Sequence, residues 1–405
     1  MDAYLIEAVR TPFGKHRGGL SGIRTDDLAA LPIAELVKRV PGLDPTRIDD
    51  VILGDTNGAG EDNRNVARMA ALLAGLPVTV PGATVNRLCA SGGEALVQAA
   101  RAIAVGDASV MIAGGVESMS RAPYVLPKPD EALPRTMQLH QTQVGWRLVN
   151  PKFPDRWTRS LGACAEAVAA ELGIGRQEQD EWSLRSHQLA AEAWQKNLHE
   201  YVMPVKVPGP GRDASRESAP SLESVTQDES IRPTTSLEAL AALKPAFSGD
   251  GTVTAGNSSP INDGAIAVLM GSSAAVSELG SELLGQVIGS ATTALEPDRF
   301  SVAPVPAITK LLDRAGLGFD DIALWEINEA FAAMVLSVLH QLPRIGRDRV
   351  NPHGSAIAIG HPLGASAPRV VVDLCRELRR RGGGYGVAAA CIGVGQGAAT
   401  LVRVD

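Results

Sequence analysis

The sequence predicts an α/β fold made of two related halves with an insertion between them. Apolar strand patterns alternate with amphipathic helix patterns, which is typical of βαβ units with parallel strands and right-handed crossovers. Similar segments also recur in the same order early and late in the chain. The region of about 121–250 holds most of the proline-rich and charged irregular sequence and has no counterpart in the second half.

The internal repeat begins with a helix and a short strand. A helical pattern over about 28–40 leads to GLDPTRIDDVILGD at 42–55, and a similar pattern over about 305–315 leads to GLGFDDIALWEINEAF at 316–331. In both copies Gly-Leu ends the helix and Asp-Asp precedes an apolar strand. These segments therefore predict equivalent helix–strand units.

A second helix and strand follow in each copy. ASGGEALVQAARAI at 90–103 matches ASAPRVVVDLCREL at 365–378, and both have helical spacing. ASVMIAGG at 108–115 matches YGVAAACIG at 385–393, and their continuous small and β-branched residues indicate strands covered on both faces. We expect the two halves to pack as a pseudo-symmetric pair.

The insertion is predicted to be a loop domain that shapes a binding site on a rigid scaffold. Its clearest helix is the amphipathic segment 176–197, and 207–224 is rich in turn-forming residues. The predicted division of the chain is 1–120, completed by about 251–273, for the first half, 121–250 for the inserted loop domain, and 274–405 for the second half.

Composition indicates a soluble globular enzyme. Of the 405 residues 45% are apolar and only 4% aromatic, and the net charge is −7. An acidic protein does not coat nucleic acid, although a local basic pocket can still receive an anionic ligand. No apolar run approaches the ~18 residues that a membrane span needs. We expect no nucleic-acid partner and no membrane partner.

The cysteines and the chain ends favour a reducing compartment. The four cysteines, at 89, 164, 375 and 391, lie far apart and form no C-x-x-C pair, which argues against a zinc ribbon and a dense disulfide framework. The start, MDAYLIEAVRTPFG, reads as a strand and a turn without a signal-peptide pattern, and the last residues, LVRVD, are not a peroxisomal tripeptide. We expect a cytoplasmic protein.

One cysteine lies where a reactive thiol is expected. In VNRLCASGGEAL, residues 85–96, small residues and a predicted helix follow Cys89, so free N–H groups and the helix dipole are expected to favour its thiolate. Lowering the pKa of a thiol from about 8.5 to about 7 requires ~2 kcal/mol, whereas a helix end supplies ~0.3 to 1 kcal/mol. A histidine is therefore expected nearby, unless Cys89 is an inert core residue, which is the commoner role.

One of the seven histidines fits this role. His361 lies in the Gly-rich stretch NPHGSAIAIGHPLGAS (351–366), three residues before Gly364, which the internal alignment places opposite Cys89. Pseudo-symmetry would bring both to equivalent helix starts, where the halves face one another. Most of the others read as surface, loop or structural residues: His16, His140, His187, His199 and His340.

A second cysteine lies in AACIGVGQG (389–397). The glycine pattern is not a dinucleotide fingerprint, because a strand pattern, AATLVRV, follows it instead of a helix. The glycines instead favour a close backbone approach around Cys391 at a strand end. Cys391 is structural by default, but it lies in the half that also holds His361.

Six segments together resemble the thiolase family, the acetyl-CoA C-acyltransferases, in the family's order and spacing: VNRLCASG, GGVESMSRAP, LKPAFSGDGTVTAGNSSPINDGA, EINEAF, GHPLGAS and CIGVGQG. The resemblance covers essentially the whole chain. It implies two pseudo-symmetric βαβαβαββ halves in a layered α/β/α/β/α sandwich with an inserted loop domain. It also implies acyl-CoA and CoA as substrates, no metal, no permanently bound cofactor, and a homotetramer or homodimer.

The resemblance also implies a role for each site residue. Cys89 is expected to carry the acyl group as a thioester, His361 to activate that thiol, and Cys391 to move the proton at the α-carbon. One oxyanion hole is expected from His361 with a water held by Asn328, and the other from the backbone N–H groups of Cys89 and Gly393. On local sequence alone, Asn328 is equally a helix N-cap.

By the same resemblance, CoA lies against the insertion. Arg232 in DESIRPTT matches the residue near the adenine, and Ser259 in AGNSSP matches the residue that contacts the pantetheine, although an exposed arginine is often only solvated. The segment GWRLVNP (145–151) resembles thiolases of aromatic-compound breakdown that cleave 3-oxoadipyl-CoA. Four departures from the common thiolase pattern leave the acyl-chain preference open: Ser160, Leu161, Phe300 and His353.

The sequence thus predicts a thiolase that exchanges an acyl group between a 3-oxoacyl-CoA and CoA, in the degradative direction. A decarboxylating ketosynthase of the same fold is one alternative, but those enzymes lack the second cysteine, so Cys391 argues against it. A catalytically silent lipid-binding protein is the other. It has no need for Cys89, His361 and Cys391 to be present together.

Overall fold

The computed structural model describes residues 2–208 and 222–405, and the turn-rich segment predicted at 207–224 lies largely outside them. Its strands are β1 (Tyr4–Arg10), β2 (Gly14–Lys15), β3 (Asp50–Gly54), β4 (Gly82–Val85), β5 (Val110–Ser118), β6 (Tyr124–Val125), β7 (His140–Gln141), β8 (Val205–Pro208), β9 (Leu222–Val225), β10 (Asn262–Gly271), β11 (Gly285–Ala294), β12 (Ile322–Ile327), β13 (Gly384–Ile392) and β14 (Gln396–Val404). Its helices are α1 (Thr25–Arg39), α2 (Val66–Leu73), α3 (Ser91–Val105), α4 (Leu161–Leu172), α5 (Arg176–Gln195), α6 (Leu237–Ala241), α7 (Ser273–Leu279), α8 (Pro304–Ala315), α9 (Ala332–Gln341), α10 (Ala356–Ile359) and α11 (Leu363–Arg380).

Both halves contribute to one continuous mixed sheet. Its strand order is β12-β13-β14-β11-β1-β10-β5-β3-β4, and β2 pairs with β10. The halves join where the start of β1 pairs with the start of β11. Parallel pairing, which the sequence predicts, occurs between β3 and its neighbours β4 and β5 and between β12 and β13. The remaining pairs along this order are antiparallel. β14 runs antiparallel to β13 because a turn at 393–395 reverses the chain directly after β13.

The internal repeat is confirmed at the level of elements. The helices predicted over 28–40, 305–315, 90–103 and 365–378 are α1, α8, α3 and α11. The two matched strands, β5 and β13, both contain nine residues. One detail of the alignment is wrong: counted from the helix starts, the equivalent of Cys89 is His361 and not Gly364, because α3 begins two residues after Cys89 and α11 begins two residues after His361.

The elements form the five layers that the predicted sandwich requires. In the central layer α3 and α11 pack against each other and against strands of both halves, within a single apolar cluster. On one outer face α1 and α2 cover β3, β5 and β10. On the other outer face α8 and α9 cover β11, β12 and β13, with α4 beside them. Consistent with its central position, α11 buries side chains around its whole circumference.

Glycines permit the closest contact between the halves. A Cβ on Gly92 would lie 2.2 Å from the carbonyl oxygen of Gly364, and a Cβ on Gly364 would lie 2.2 Å from that of Val116. A Cβ on Gly54 would lie 2.1 Å from the backbone nitrogen of Gly92. These separations are too short for any side chain. The N-terminal ends of α3 and α11 therefore meet backbone to backbone, beside the segments that carry Cys89 and His361.

The region between β5 and β10 is fastened to the first half by a buried ion pair. The guanidinium of Arg10, at the end of β1, donates to both carboxylate oxygens of Asp228, over 2.6 and 2.8 Å. The backbone N–H of Phe13 donates to the same carboxylate. Both ionic side chains are fully buried. Breaking such a pair by removing one partner costs about 3–5 kcal/mol, so this contact holds the insertion in place.

Candidate active site

The thiol of Cys89 lies at the N-terminal end of α3, as the sequence predicts. A single 3-10 turn, Leu88–Ala90, leads into the helix, and Leu88 has a left-handed φ of 48°. The hydroxyl of Ser91 donates to the carbonyl of Leu88 (2.6 Å) and accepts from the backbone N–H of Arg87 (2.9 Å). These bonds fix the turn, and Cys89 is only 8% exposed.

The pKa of Cys89 moves opposite to the expected direction. Burial raises the pKa of this thiol to about 11, and the charge of Glu117 adds to the rise. A hydrogen bond from the backbone N–H of Gly393 to the sulfur acts the other way but is too weak to offset burial. The expectation of a pKa lowered by the helix end is therefore wrong, because burial raises the pKa of this thiol above its ordinary value.

Cys391 comes to the same place from the other half. It is the penultimate residue of β13 and is 1% exposed. Burial, followed by the proximity of Cys89, raises its pKa well above that of an ordinary thiol. Two residues further on, Gly393 directs its N–H at the sulfur of Cys89. The structure thus brings the two predicted thiols and the predicted backbone donor together.

The imidazole of His361 is held as a neutral base. Its Nδ1 lies 2.6 Å from the hydroxyl oxygen of Ser366, and that hydroxyl donates its own proton to the carbonyl of Pro362 over 2.8 Å. With the hydroxyl proton directed at Pro362, the hydrogen-bond network assigns the ring proton to Nδ1 and the lone pair to Nε2. Among the described residues, Nε2 is buried and has no hydrogen-bond partner. Burial, with the charge of Arg369, lowers the pKa of His361 to about 4.

Asn328 lies between His361 and β13. Its side-chain nitrogen is 3.4 Å from Nδ1 of His361, and its backbone N–H donates to the carbonyl of Ala389 (2.9 Å). Its side-chain oxygen is buried with no partner in the described part of the chain. The alternative role as a helix N-cap is wrong, because α9 begins at Ala332 and its N-cap position is Phe331.

Asn262, at the start of β10, is a positioning residue that sequence reasoning missed. Its side-chain oxygen accepts from the backbone N–H of His361 (2.9 Å), and its side-chain nitrogen donates to Gly14 and Ser230. Gly360 approaches it so closely that a Cβ there would lie 2.7 Å from the amide of Asn262. The signal was present, because Asn262 lies within the family-like segment 243–265.

Glu117, near the end of β5, is a second missed residue. One of its carboxylate oxygens accepts from the backbone N–H groups of Gly364 (3.0 Å) and Thr56 (3.1 Å), so it joins the halves beneath the thiols. The other accepts from the side chain of Asn57 (3.4 Å). Burial raises the pKa of Glu117 to about 7. Its position in GGVESMSRAP was a signal, but no local pattern showed what it binds.

The residues predicted to hold CoA lie outside this cluster. Arg232 is exposed, and its backbone N–H donates to Nδ1 of His187 on α5 (3.2 Å). The backbone N–H of Ser259 donates to the carbonyl of Ala330 (2.9 Å), two residues after Asn328. Within the described residues, no hydrogen bond joins the side chain of Arg232 or Ser259 to the thiols or the imidazole.

Two histidines predicted at the surface are buried. His187 is 5% exposed and His199 is 4% exposed, and burial lowers the pKa of each to about 4. The prediction fails because α5 turns one face into the protein, and the chain after it folds His199 against Trp194, with ring centroids 5.1 Å apart.

The departures from the thiolase pattern have local contacts. His353 lies 2.7 Å from the carboxylate of Glu377, and Ser160 caps the start of α4, which begins at Leu161. Phe300 is buried, with its ring 6.2 Å from that of Phe331. None of these contacts involves Cys89, His361 or Cys391.

Other kinds of site are not found in the described part of the chain. No group of three or more His, Cys, Asp or Glu side chains there is placed to hold a metal ion. No helix in residues 2–208 or 222–405 is both long and apolar enough to span a bilayer.

The fold and the site define an acyltransferase. A thiol is the side chain best suited to accept an acyl group from another thioester, because the two thioesters have similar energies. Here two thiols and a backbone N–H come together, and the start of α3, which follows Cys89, touches the start of α11, which follows the neutral imidazole of His361.

Comparison with known proteins places the chain in the thiolase family. The family model for the thiolase N-terminal domain matches residues 3–274, and that for the C-terminal domain matches residues 281–404. The chain is 47% identical to a beta-ketoadipyl-CoA thiolase of Acinetobacter baylyi over 404 residues, 99% of each chain. It is 46% identical to the 3-oxoadipyl-CoA/3-oxo-5,6-dehydrosuberyl-CoA thiolase of Escherichia coli K12 over 405 residues, again 99% of each.

A solved structure shows the same fold. The crystal structure of the Bacillus anthracis acetyl-CoA acetyltransferase superposes with a TM-score of 0.90 at 35% identity and covers 99% of this chain and 98% of that one. The predicted thiolase fold and acyltransferase activity are confirmed, and the two alternative functions are not favoured.

Proposed function

We propose that this protein is a degradative thiolase that cleaves a 3-oxoacyl-CoA ending in a second carboxylate, such as 3-oxoadipyl-CoA, with free CoA. The observation that carries the reaction is the proximity of Cys89 and Cys391 at the point where α3 touches α11, the helix that begins two residues after His361. The substrate class is supported by the names of the relatives at 46–47% identity and by the segment GWRLVNP.

In the first step Cys89 attacks the carbonyl at C3 of the substrate. Burial holds the sulfur as a thiol and the ring of His361 as a neutral base, so the proton passes to Nε2 as the sulfur–carbon bond forms. Ser366 fixes the ring by accepting a hydrogen bond from the N–H at Nδ1. The C2–C3 bond then breaks, and its electron pair stays on C2 of the departing acetyl-CoA.

Cys391 acts on that departing carbon. A thiol with a raised pKa retains its proton at neutral pH, which suits an acid that must protonate a carbanion. In the second step free CoA gives a proton to Cys391, attacks the thioester on Cys89 and leaves as the shortened acyl-CoA. Cys89 leaves the thioester as a thiolate and takes back the proton that Nε2 of His361 accepted in the first step, so each thiol is restored at the end of the cycle.

Two oxyanion holes would stabilise the negative oxygens that form in these steps. The N–H of Gly393 already points at the sulfur of Cys89, so together with the N–H of Cys89 it would face an oxygen on the acyl carbon bonded to that sulfur. His361 and a water held by Asn328 would serve the other oxygen. The buried, unpartnered side-chain oxygen of Asn328 is suited to hold that water.

CoA is proposed to lie along the insertion, residues 121–250, with Arg232 near the adenine and Ser259 at the pantetheine. Two positions support this placement. The backbone N–H of Ser259 donates to the carbonyl of Ala330, two residues after Asn328, and Arg232 is exposed on the insertion. The halves would then be 1–120 with about 251–273, and 274–405, a division that the sheet order supports because β10 lies inside the first half.

We further propose a cytoplasmic homo-oligomer, a dimer or tetramer. The strand β4 closes one edge of the sheet and pairs only with β3 among the described strands. Such an edge favours pairing with a second copy. Size-exclusion chromatography with light scattering would show the assembly, and a monomer at micromolar concentration would contradict it.

A thiolysis screen tests the proposed function. Purified protein with CoA would be offered dicarboxylic, short, long and branched 3-oxoacyl-CoAs, and loss of each substrate would be followed. We expect the highest kcat/KM for 3-oxoadipyl-CoA. A preference for acetoacetyl-CoA would favour the second candidate, an acetyl-CoA acetyltransferase like the Bacillus anthracis protein of the same fold. No cleavage of any substrate would refute both.

A further inference from the structure

The proposed substrate carries a negative charge at the end of its acyl chain, and burying that charge beside Cys89 requires a cation. Two nearby arginines already have carboxylate partners: Arg87 pairs with Glu94, and Arg121 pairs with Glu61. Arg147 differs from both. Among the described residues its guanidinium has no carboxylate within ion-pair distance, and its hydrogen bond goes to a neutral amide, that of Asn57 (2.9 Å).

That hydrogen bond connects Arg147 to the turn of the reacting thiol through Asn57 and Thr56. Asn57 follows Thr56, whose carbonyl accepts from the side chain of Asn86 (3.0 Å) and whose hydroxyl donates to the carbonyl of Leu88 (3.4 Å). Residues 86–88 lead directly into Cys89. Arg147 is therefore bonded to a segment that itself touches the turn of the nucleophile.

The anchor of Arg147 is rigid. Asn57 is 7% exposed, and its nitrogen donates to Glu117, which is fixed in turn by the N–H groups of Thr56 and Gly364. The side-chain amide of Asn57 is buried, and both its nitrogen and its oxygen are hydrogen-bonded, so it has a fixed orientation. The guanidinium is thus held at one edge of the site while its other donors stay free within the described structure.

The segment that presents Arg147 is also fixed. Trp146 packs on Phe153, with ring centroids 6.2 Å apart, and Phe153 packs on Trp157 at 6.4 Å. Leu148 has a left-handed φ of 50°, which bends the chain directly after the arginine. An aromatic residue before and a bend after Arg147 direct its side chain toward Asn57. This is the GWRLVNP segment, whose role the reaction itself does not explain.

We propose that Arg147 binds the terminal carboxylate of a dicarboxylic 3-oxoacyl-CoA and so determines acyl-chain specificity. The inference rests on the proposed thiolase function. After C2–C3 cleavage of 3-oxoadipyl-CoA, the acyl group on Cys89 has four carbons and ends in a carboxylate. Its three carbon–carbon bonds of about 1.5 Å span about 4 Å, so its carboxylate stays near the turn of Cys89, to which Asn57 and Thr56 connect Arg147. A guanidinium can hold that carboxylate with two parallel hydrogen bonds.

Two substrates of equal chain length test this role. 3-Oxoadipyl-CoA ends in a carboxylate, and 3-oxohexanoyl-CoA ends in a methyl group. Arg147→Gln is expected to lower kcat/KM for 3-oxoadipyl-CoA about 10- to 100-fold, mainly through KM, and to change that for 3-oxohexanoyl-CoA less than about threefold. Arg147→Lys keeps the charge and should restore part of the preference. The matched control is Lys152→Gln, which removes an exposed charge from the same region and should leave both values unchanged.

The outcomes separate this inference from the proposed function. Equal losses on both substrates would make Arg147 a structural residue or a CoA contact, and no loss on either would show that it does not touch the chain. Either result overturns the inference while thiolysis by the wild-type protein still stands. Failure of the wild-type protein to cleave either substrate would overturn the function itself. Thermal unfolding of each variant checks that the fold is retained.

Discussion

The two halves have the same topology but place different side chains at equivalent points. One point is the residue directly after the strand that pairs in parallel with β5 or β13, namely β3 or β12. A second lies two residues before the central helix, α3 or α11, and a third is the penultimate residue of the following strand, β5 or β13. The pairs at these points are Asp55 and Asn328, Cys89 and His361, and Glu117 and Cys391.

The difference shows how one scaffold performs two tasks. In the first half, burial raises the pKa values of Asp55 and Glu117. Glu117 also accepts hydrogen bonds from backbone N–H groups, including that of Gly364 in the other half. In the second half, Asn328 and His361 each keep a buried polar atom without a partner among the described residues, and in the first half one oxygen of Asp55 does so too. The first half thus supplies the nucleophilic sulfur of Cys89 and the hydrogen bonds that hold its surroundings in place. The second half supplies the groups that transfer protons, His361 and Cys391.

Replacing Cys89 with Ala should have the largest effect. If the first half supplies the only acyl acceptor, thiolysis falls about 10⁴-fold or more, because the thioester cannot form. The measurement is uptake of label from radioactive acyl-CoA, together with thiolysis. The control is Cys375→Ala, which removes a thiol buried in the apolar core and should leave labelling intact. Labelling that persists in the Cys89 variant would show that the acyl acceptor lies elsewhere.

Replacing Cys391 with Ala should separate the two tasks. Cleavage of a 3-oxoacyl-CoA is expected to fall about 10²- to 10⁴-fold, because no group protonates the departing carbon. Labelling of Cys89 by a simple acyl-CoA, which needs no such proton, should continue and give a trappable acyl-enzyme. If labelling disappears as well, the division between the halves is wrong.

Replacing Glu117 with Gln should have a smaller effect. The charged acceptor for the N–H groups of Gly364 and Thr56 becomes a neutral amide, so we expect kcat to fall about tenfold with little change in KM. The pH profile of kcat should also lose a step near 7, where Glu117 titrates. Glu61→Gln, which alters a carboxylate paired with Arg121, is the control. An unchanged profile and kcat would mean that Glu117 does not position the site.

The smallest expected effect concerns stability in acid. The helix α11 buries Asp373, whereas α3, which is described in full, buries no charged side chain. Burial opposes ionisation of Asp373, but the neighbouring positive charges, of which that of Arg369 acts most strongly, together with a hydrogen bond from Tyr201 outweigh burial and lower the pKa to about 2 from 3.8. Because the pKa is depressed in the folded state, its contribution of about 2 kcal/mol is present above pH 3.8 and is lost as the pH falls toward 2.

Urea unfolding at pH 5 and at pH 3 measures this difference. The wild-type protein should lose more stability between the two than Asp373→Asn does, since the variant has no carboxylate to protonate. Glu94→Gln on α3 is the matched control. Its carboxylate is half buried and paired with Arg87, and removing it should change the acid dependence less. Equal acid dependence in wild type and Asp373→Asn would contradict the assignment to α11.

The sequence was sufficient to predict the helices and strands of the internal repeat, because each of them is encoded by a local pattern of apolar residues. The matched segments of the two halves became α1, α8, α3, α11, β5 and β13. The alignment of Cys89 with Gly364 was wrong because small residues recur after both sites, whereas the helix starts depend on capping geometry that those letters do not encode. Gly92 and Gly364, each the second residue of its helix, are the true equivalents, and they touch.

The electrostatics of the site could not be read from the sequence. The helix-end argument for Cys89 considered only its neighbours in sequence, whereas the burial that raises its pKa arises from three-dimensional packing that the segment 85–96 does not reveal. The proton on Nδ1 of His361 depends on Ser366 and Pro362, which share its motif but give no sign there of which atom donates. Asn262 was missed for the same reason, since it acts across the sheet from another segment.

The backbone contacts at Gly54, Gly92 and Gly364 set a limit on how this enzyme can change. No larger residue fits there, so the distance between the nucleophile and its proton carriers cannot be adjusted by small mutational steps. New acyl preferences can only arise by altering the periphery, such as the loops of the insertion. Variants selected for activity on new substrates should carry replacements around 145–151, whereas Gly54, Gly92 and Gly364 should remain unchanged.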